Sequence, residues 1–214
     1  MTVDDVIVYG AGGFAREVAW LASECGANVR AFVDDDASRV GTRLNEIEVV
    51  SLEQARARFS QAKLAVAVGS PAVRRALVQK AAAAGFAFAE LIHPRVERSR
   101  WIAFGEGSVI CAGCILTTNI RFGNHVQVNL DCTVGHDVVM EDFVTLAPGV
   151  HVSGWVHIRE GAYLGTGSVV INGTAEKPLV IGAAAVVGAG ACVVKTVDPD
   201  ATVVGVPAKP LTAR

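Results

Sequence analysis

Val128-Asn-Leu-Asp-Cys-Thr133, Val134-Gly-His-Asp-Val-Val139, Met140-Glu-Asp-Phe-Val-Thr145 and Leu146-Ala-Pro-Gly-Val-His151 are consecutive six-residue units. Each opens on a large apolar residue and carries a small or aliphatic one at its fifth place. The rhythm extends both ways, from Phe104, Ile110, Leu116 and Phe122 upstream to Val152, Ile158, Leu164 and Val170, whose unit ends at Ala175. An α-helix of 3.6 residues per turn would smear a six-residue repeat around its surface. Strand alternation alone does not call for a polar or glycine corner every sixth residue. Three units therefore close one triangular coil of a parallel β-solenoid, with successive coils stacked about 4.8 Å apart. After five extra residues the register resumes at Ile181, Val187 and Val193, which predicts that Glu176–Val180 is a loop thrown out of a continuing coil.

Upstream the pattern changes. Val6–Tyr9 reads as a short buried strand, Gly10-Ala-Gly-Gly-Phe-Ala15 as a turn, and Ala15 to Cys25 as a helix. Further strands are expected at Val29–Val33, ending in Asp34-Asp-Asp36, at Leu64–Val68, ending in Gly69-Ser70, and at Phe86–Ile92. A helix is expected from Ala72 to Ala84. Strand, glycine turn and helix open a Rossmann-like sheet. The expected organisation is a Rossmann-like α/β half-domain over 1–93 and a β-helix over 94–214.

Gly10-x-Gly12-x-x-Ala15, with Asp34 some twenty residues on, fits a phosphate-binding turn: glycines admit close backbone approach, and a helix N-terminus favours anions. About 90 residues supply one mononucleotide-binding half, too little for a dinucleotide grip. A nucleotide-linked ligand is therefore expected at Gly12, Gly13, Phe14, Gly69 and Asp34 or Asp35. The alternative is that the glycines merely permit tight helix–strand packing.

The chain has 214 residues, 51% apolar and 19% charged, with net charge −2. This composition fits a packed globular protein and gives no basic stripe for a nucleic-acid polymer. No run reaches the ~20 apolar residues of a membrane span, and the acidic start lacks the basic region of a secretory signal, so a cytoplasmic protein without membrane insertion is expected. Of five cysteines, Cys111-x-x-Cys114 invites a zinc or redox reading. Against it, Cys114 and Cys132 both occupy the fifth place of their units and should stack in adjacent coils. The histidines His125, His151 and His157 are expected to point outward, and His151-x5-His157 falls on different faces, so no metal is expected.

His136 is the third residue of its unit, between inward Val134 and Val138, so its ring should point out of the coil. Asp137 follows and can fix the imidazole tautomer. Asn129, seven residues earlier, is a candidate polar contact to substrate. A solvated corner histidine is the alternative.

The runs Asn129–Val139, Tyr9–Val18, Gly182–Lys195 and Val204-Gly-Val-Pro-Ala-Lys209 together resemble the bacterial hexapeptide-repeat sugar acetyltransferases. That family includes sialic acid O-acetyltransferases and nucleotide-aminosugar N-acetyltransferases. The resemblance implies a left-handed β-helix, acetyl-coenzyme A as donor, His136 as general base and a homotrimer with the donor bound between subunits. It implies donor contacts at Thr145, Gly154, Thr166 and Ala189, and a backbone N–H near Gly154 for the oxyanion. Phe14 stands where many relatives have histidine, Asp137 where some have glutamate, and Thr145 where some have a second histidine. The expected activity is acetylation of the amino group of a nucleotide-linked amino sugar. A sugar O-acetyltransferase and a non-catalytic scaffold or sensor are the alternatives.

Overall fold

The computed structural model describes residues 4–211 and divides into two compact units, Met1–Pro94 and Arg95–Arg214. In the first, β1 (Asp5–Tyr9), β2 (Asn28–Val33), β3 (Arg43–Leu44), β4 (Ile47–Val50) and β5 (Lys63–Val66) form one sheet in the order β3-β4-β2-β1-β5. All its pairings are parallel except β3 with β4. Helices α1 (Gly13–Glu24), α2 (Leu52–Arg58) and α3 (Pro71–Ala83) complete the unit. Val6, Ile7 and Val8 of β1 are buried together with Ala15, Val18 and Leu21 of α1, which is why this apolar strand needs a helix packed on it.

The α1 helix begins two residues before its expected start, because Gly12 serves as N-cap in extended conformation. The α2 helix and the β3–β4 hairpin were not anticipated. A capping box holds the start of α2, Ser51 Oγ accepting from Gln54 N–H and Gln54 Oε1 accepting from Ser51 N–H. The hairpin turns on Asn45 and Glu46, both at positive φ. Phe86–Ile92 is not one strand. Phe88 makes a single bridge to Leu64, and only Leu91–Ile92 is extended in a paired strand.

The second unit is the solenoid. Residues eighteen apart pair in parallel register, as in Ile115 with Thr133 and Thr133 with His151, or Gln127 with Thr145 and Thr145 with Tyr163. One face carries the strands Glu97–Arg98, Ile115–Leu116, Thr133–Val134, His151–Val152, Val169–Val170 and Cys192–Val193. A second carries Ile102–Ala103, Ile120–Phe122, Val139–Met140, Val156–Ile158 and Leu179–Ile181. The third includes Val109–Ile110, Gln127–Val128, Thr145–Leu146, Tyr163–Leu164 and Val186–Val187. Fifth-place residues from Ser108 to Ser168 are buried, as are the openers from Ile110 to Val170. Phe104 stacks on Phe122 one coil above, ring centroids 5.0 Å apart.

The twelfth unit departs from its expected form. Val170 is core, but Thr174 is exposed, and Leu179 takes the inward place on the next strand, paired with Val156. The five-residue detour is thus 174–178, closed by reciprocal main-chain bonds between Thr174 and Lys177. Leu179 and Val180, expected in the loop, already belong to the coil.

The corners have one device in common. Through the eleventh unit the fourth residue adopts positive φ, whether glycine (Gly107, Gly113, Gly149, Gly161, Gly167) or not (Asn119, His125, Asp131, Asp137, Phe143, Trp155). For a side-chain-bearing residue this costs about 1–2 kcal/mol, least for Asn and Asp. Main-chain bonds between successive coils, such as Asp137 N–H to Thr118 O at 3.2 Å and Trp155 N–H to His136 O at 3.1 Å, offset it.

Candidate active site

Positive φ at Asp137 is what builds the site. On a flat strand His136 and Asp137 would point to opposite sides, but the left-handed turn at Asp137, φ 57°, swings its carboxylate beside the ring. His136 Nδ1 lies 2.8 Å from Asp137 Oδ2, and Asn119, one coil below, donates from Nδ2 to Asp137 Oδ1 at 3.3 Å. The carboxylate accepts from Nδ1–H, which leaves the imidazole lone pair on Nε2.

One coil above, Gly154 makes room for the ring. A methyl group there would stand 2.6 Å from both Cε1 and Nε2 of His136. Trp155 meets the imidazole edge-on, ring centroids 6.1 Å apart. The His136 side chain is 53% exposed, with its partner Asp137 at 26%. On the Asp137 side of this corner a groove of about 550 Å³ runs past Trp155, Asn119, Arg121 and the stacked pair Arg100 and Trp101.

The remaining solenoid residues of interest fall elsewhere. Thr166 and Ala189 stack on the opposite edge of the first face, Gly190 N–H donating to Thr166 O. Asn129 lies on that same edge, not beside His136. It is buried, and its Nδ2 donates to Leu146 O at 2.8 Å, a bond to the next coil. Thr145 is also buried, 1% exposed, and presents no open surface.

Not all histidines point to solvent. His125 is 6% exposed and stacks on Phe143 at 5.3 Å, contrary to the outward placement expected of it. His151 bonds Thr133 Oγ1 at 2.8 Å. His157 joins Arg159 on the carboxylate of Glu141, at 3.0 and 2.7 Å, an arrangement that ties two coils together. Burial alone would raise the Glu141 carboxyl, but Arg159 and the Glu160 N–H outweigh it and hold it below its usual range. Cys114 and Cys132 stack in the core, their thiols donating to Asn129 O and Ala147 O.

In the first unit the glycines divide by role. Gly10 has φ 123° and would bring a Cβ to 3.0 Å from Ala67 O, so its part is close packing. Gly12 and Gly13 face open space: a Cβ at Gly12 meets nothing within 4 Å, and its φ is −94°. They open the N-terminus of α1, whose first turn holds no acidic side chain. A cavity of about 490 Å³ includes Gly12, Gly13, Phe14, Asp34, Asp35 and Gly69, so the structure brings all the ligand candidates of this unit together. An adjoining cavity of about 350 Å³ sets Arg16 and Arg39 beside the same glycines.

Three further residues shape this region without a motif to mark them. Arg74 is buried, donates to Val68 O and Gly69 O at 3.0 and 3.2 Å, and is pushed down to about 9 by burial. Tyr9 and Lys80 both bond Asp35. The available sequence signal for Arg74 was its place on the helix stripe it shares with Val78 and Ala81. Nothing in the sequence spacing pairs Lys80 with Asp35.

Residues 5–81 match the family PglD N-terminal domain. Over 183 residues, 82% of each chain, the protein is 31% identical to GDP-perosamine N-acetyltransferase of Escherichia coli. The chain belongs to the bacterial sugar acetyltransferases. Solved structures of the family agree over nearly the full length. A histidine-to-asparagine variant of perosamine N-acetyltransferase from Caulobacter crescentus, in complex with CoA and GDP-perosamine, is 31% identical with a TM-score of 0.90 over 99% of each chain. The acetyltransferase domain of PglB from Neisseria gonorrhoeae, in complex with acetyl coenzyme A, is 33% identical with a TM-score of 0.88, covering 98% of this chain and 100% of that one. The family fold is a Rossmann-like domain followed by a left-handed β-helix; the glycine turn and the repeat predicted the two architectures, and the resemblance implied the left hand.

Proposed function

We propose that this chain moves the acetyl group of acetyl-coenzyme A to the amino group of a nucleotide-linked amino sugar, with His136 as general base. Membership of the family makes the protein an acetyl-coenzyme A-dependent acetyltransferase, and the perosamine relatives it matches are N-acetyltransferases, which supports an amine acceptor. The observation that carries the residue assignment is the Asp137–His136 pair, which fixes the tautomer and leaves Nε2 open at a glycine-cleared corner.

In this reading the acceptor ammonium first loses a proton to solvent. The amine nitrogen then attacks the thioester carbonyl as Nε2 takes its remaining excess proton, the C–S bond breaks, and the imidazolium returns the proton to the leaving thiolate. Asp137 stabilises the charged ring. Such base catalysis contributes about 10²–10⁴-fold. The Gly154 N–H is assigned to the oxyanion. The neighbouring Trp155 N–H is already bonded to His136 O.

The working assembly in this proposal is a homotrimer. His136 and Gly154 occupy one edge of the first face; Thr166, Ala189 and Asn129 occupy the other. A threefold axis facing that side of each prism sets one subunit's base edge against the next subunit's donor edge. The exposed aliphatics support this choice of face: Ile115 and Val169 point outward from its strands, and Ile171 and Val194 follow two of them. Val170, on the same face, is fully buried and belongs to the core. The first unit holds the nucleotide at Gly12, Gly13 and the Asp34–Asp35 wall.

The test is free-thiol release from acetyl-coenzyme A with a panel of UDP-, GDP- and dTDP-linked amino sugars and their hydroxyl counterparts. Turnover with at least one amino sugar, lost by two or more orders of magnitude in His136→Ala while coenzyme binding persists, is the expected outcome. Turnover confined to hydroxyl acceptors, or an active His136→Ala, refutes it.

A further inference from the structure

Two cavities of the first unit share a wall. One runs from the glycine loop to Gly69; the other, about 740 Å³, lies along α2 and the end of α3; Asp34 and Asp35 border both. A nucleotide whose phosphates sit at the α1 N-terminus extends along the carboxyl ends of the strands, so its nucleoside meets this wall next. The larger cavity suits a flat, weakly polar ring, being floored by Val40, Leu52, Ala57 and Ala84. Its charged rim is Asp34, Asp35, Glu53, Arg56 and Lys80. Arg56 is engaged elsewhere, with Ser60 O at 2.9 Å and the Phe86 ring.

Asp35 is a preset acceptor. Its Oδ1 takes the Tyr9 hydroxyl at 2.8 Å and the Lys80 ammonium at 2.6 Å, which leaves Oδ2 for a ligand. Burial works to raise the Asp35 carboxyl, but Lys80 and Tyr9 outweigh it and hold it below its usual range. The Tyr9 hydroxyl, raised by burial and by its bond to Asp35, stays a donor. Ionised carboxylates accept and never donate. Uracil and thymine at N3, and guanine at N1, carry an N–H in the middle of their pairing edge. Cytosine N3 and adenine N1 carry a lone pair there.

We propose that Asp35, held in place by Tyr9 and Lys80, reads the ring N–H of the acceptor's nucleobase, so that the protein takes uridine-, thymidine- or guanosine-linked sugars and rejects cytidine- and adenosine-linked ones. The inference rests on the nucleotide-linked reading above and adds the specificity-determining residue. Lys80 and Tyr9 are positioning residues.

Calorimetric titration of the full chain with UDP, GDP, dTDP, CDP and ADP tests it. The first three bind at least about tenfold more tightly than the last two, the difference one charge-assisted hydrogen bond makes. Asp35→Asn, whose amide offers a donor as well as an acceptor, brings the ratio within about twofold. Lys80→Met moves the acid loss of UDP affinity to higher pH, because Asp35 then protonates more readily, and Lys80→Arg restores it. A merely structural Lys80 would weaken binding equally at every pH. CDP or ADP binding the wild type as tightly as UDP overturns the base readout alone, as does a ratio unchanged in a folded Asp35→Asn. If acetyl-coenzyme A binds and none of the five nucleotides does, the nucleotide-linked reading falls and takes the base readout with it.

Discussion

Gly154→Ala isolates the catalytic geometry from the chemistry of the base. The new methyl carbon would stand 2.6 Å from Cε1 and Nε2 of His136, where ordinary contact begins at 3.4 Å, so the ring must retreat by roughly 0.8 Å. The coil itself need not move, because the obstructed atoms end a side chain that is half exposed. Gly154 also has no positive φ to lose. A displacement approaching 1 Å at a reacting group costs about 10²-fold in rate, equivalent to about 2.7 kcal/mol in the barrier. The expected result is a kcat lowered about 10²-fold with the melting temperature and coenzyme affinity close to wild type. Gly135→Ala is the control, since its Cβ would meet main-chain atoms of Ser153 and Gly154 at 2.7 Å. There the coil must give, and the melting temperature falls along with activity. A folded Gly154→Ala enzyme with kcat within threefold of wild type would refute the placement of the base at this corner.

Asp137→Asn keeps the shape of the pair but loses its charge, so kcat should drop by about tenfold, less than in His136→Ala. Gly12→Val adds bulk where nothing stands within 4 Å. The variant should fold normally, raise the KM of the sugar nucleotide and leave that of acetyl-coenzyme A unchanged; the reverse pattern in steady-state kinetics would mean the two ligands are assigned to the wrong units. Ile115→Glu with Val169→Glu puts charge on the face proposed to meet the threefold axis. Sedimentation should show a trimer becoming monomer with loss of turnover, and an active wild-type monomer at micromolar concentration would exclude the shared site.

The solenoid was legible because every coil repeats the same inward places, so errors average out over a dozen units. The detour at 174–178 was counted correctly as five residues but placed two residues late. Thr174 fits the small-residue pattern, and only the pairing of Leu179 with Val156 shows that it does not serve there. The β3–β4 hairpin and α2 are too short for a periodicity to register. The capping box Ser51-x-x-Gln54 was a sequence signal for α2. At the candidate site the outward placement of the His136 ring was legible from register, and its proposed role as base came from the resemblance, whereas its contact with Asp137 depends on a corner dihedral that alternation rules do not carry. Asn129 illustrates the opposite limit. Spacing puts it near a corner, but its amide satisfies a carbonyl of the next coil, and no residue count distinguishes that from a hand held out to substrate.

The triangular winding also acts as a ratchet on the chain's own variation. Adding one hexad above His136 would carry Thr166 and Ala189 a third of a turn, to an edge that no longer answers the proposed base. Adding three would return them to their edge one step of about 4.8 Å higher. Length can therefore enter this half of the molecule only as whole turns, or as closed excursions like 174–178 that leave and rejoin at one corner. In the proposed site, the separation between base and donor-holding coils comes in fixed increments, and a lineage adapting to a longer or shorter donor must change it by counting coils.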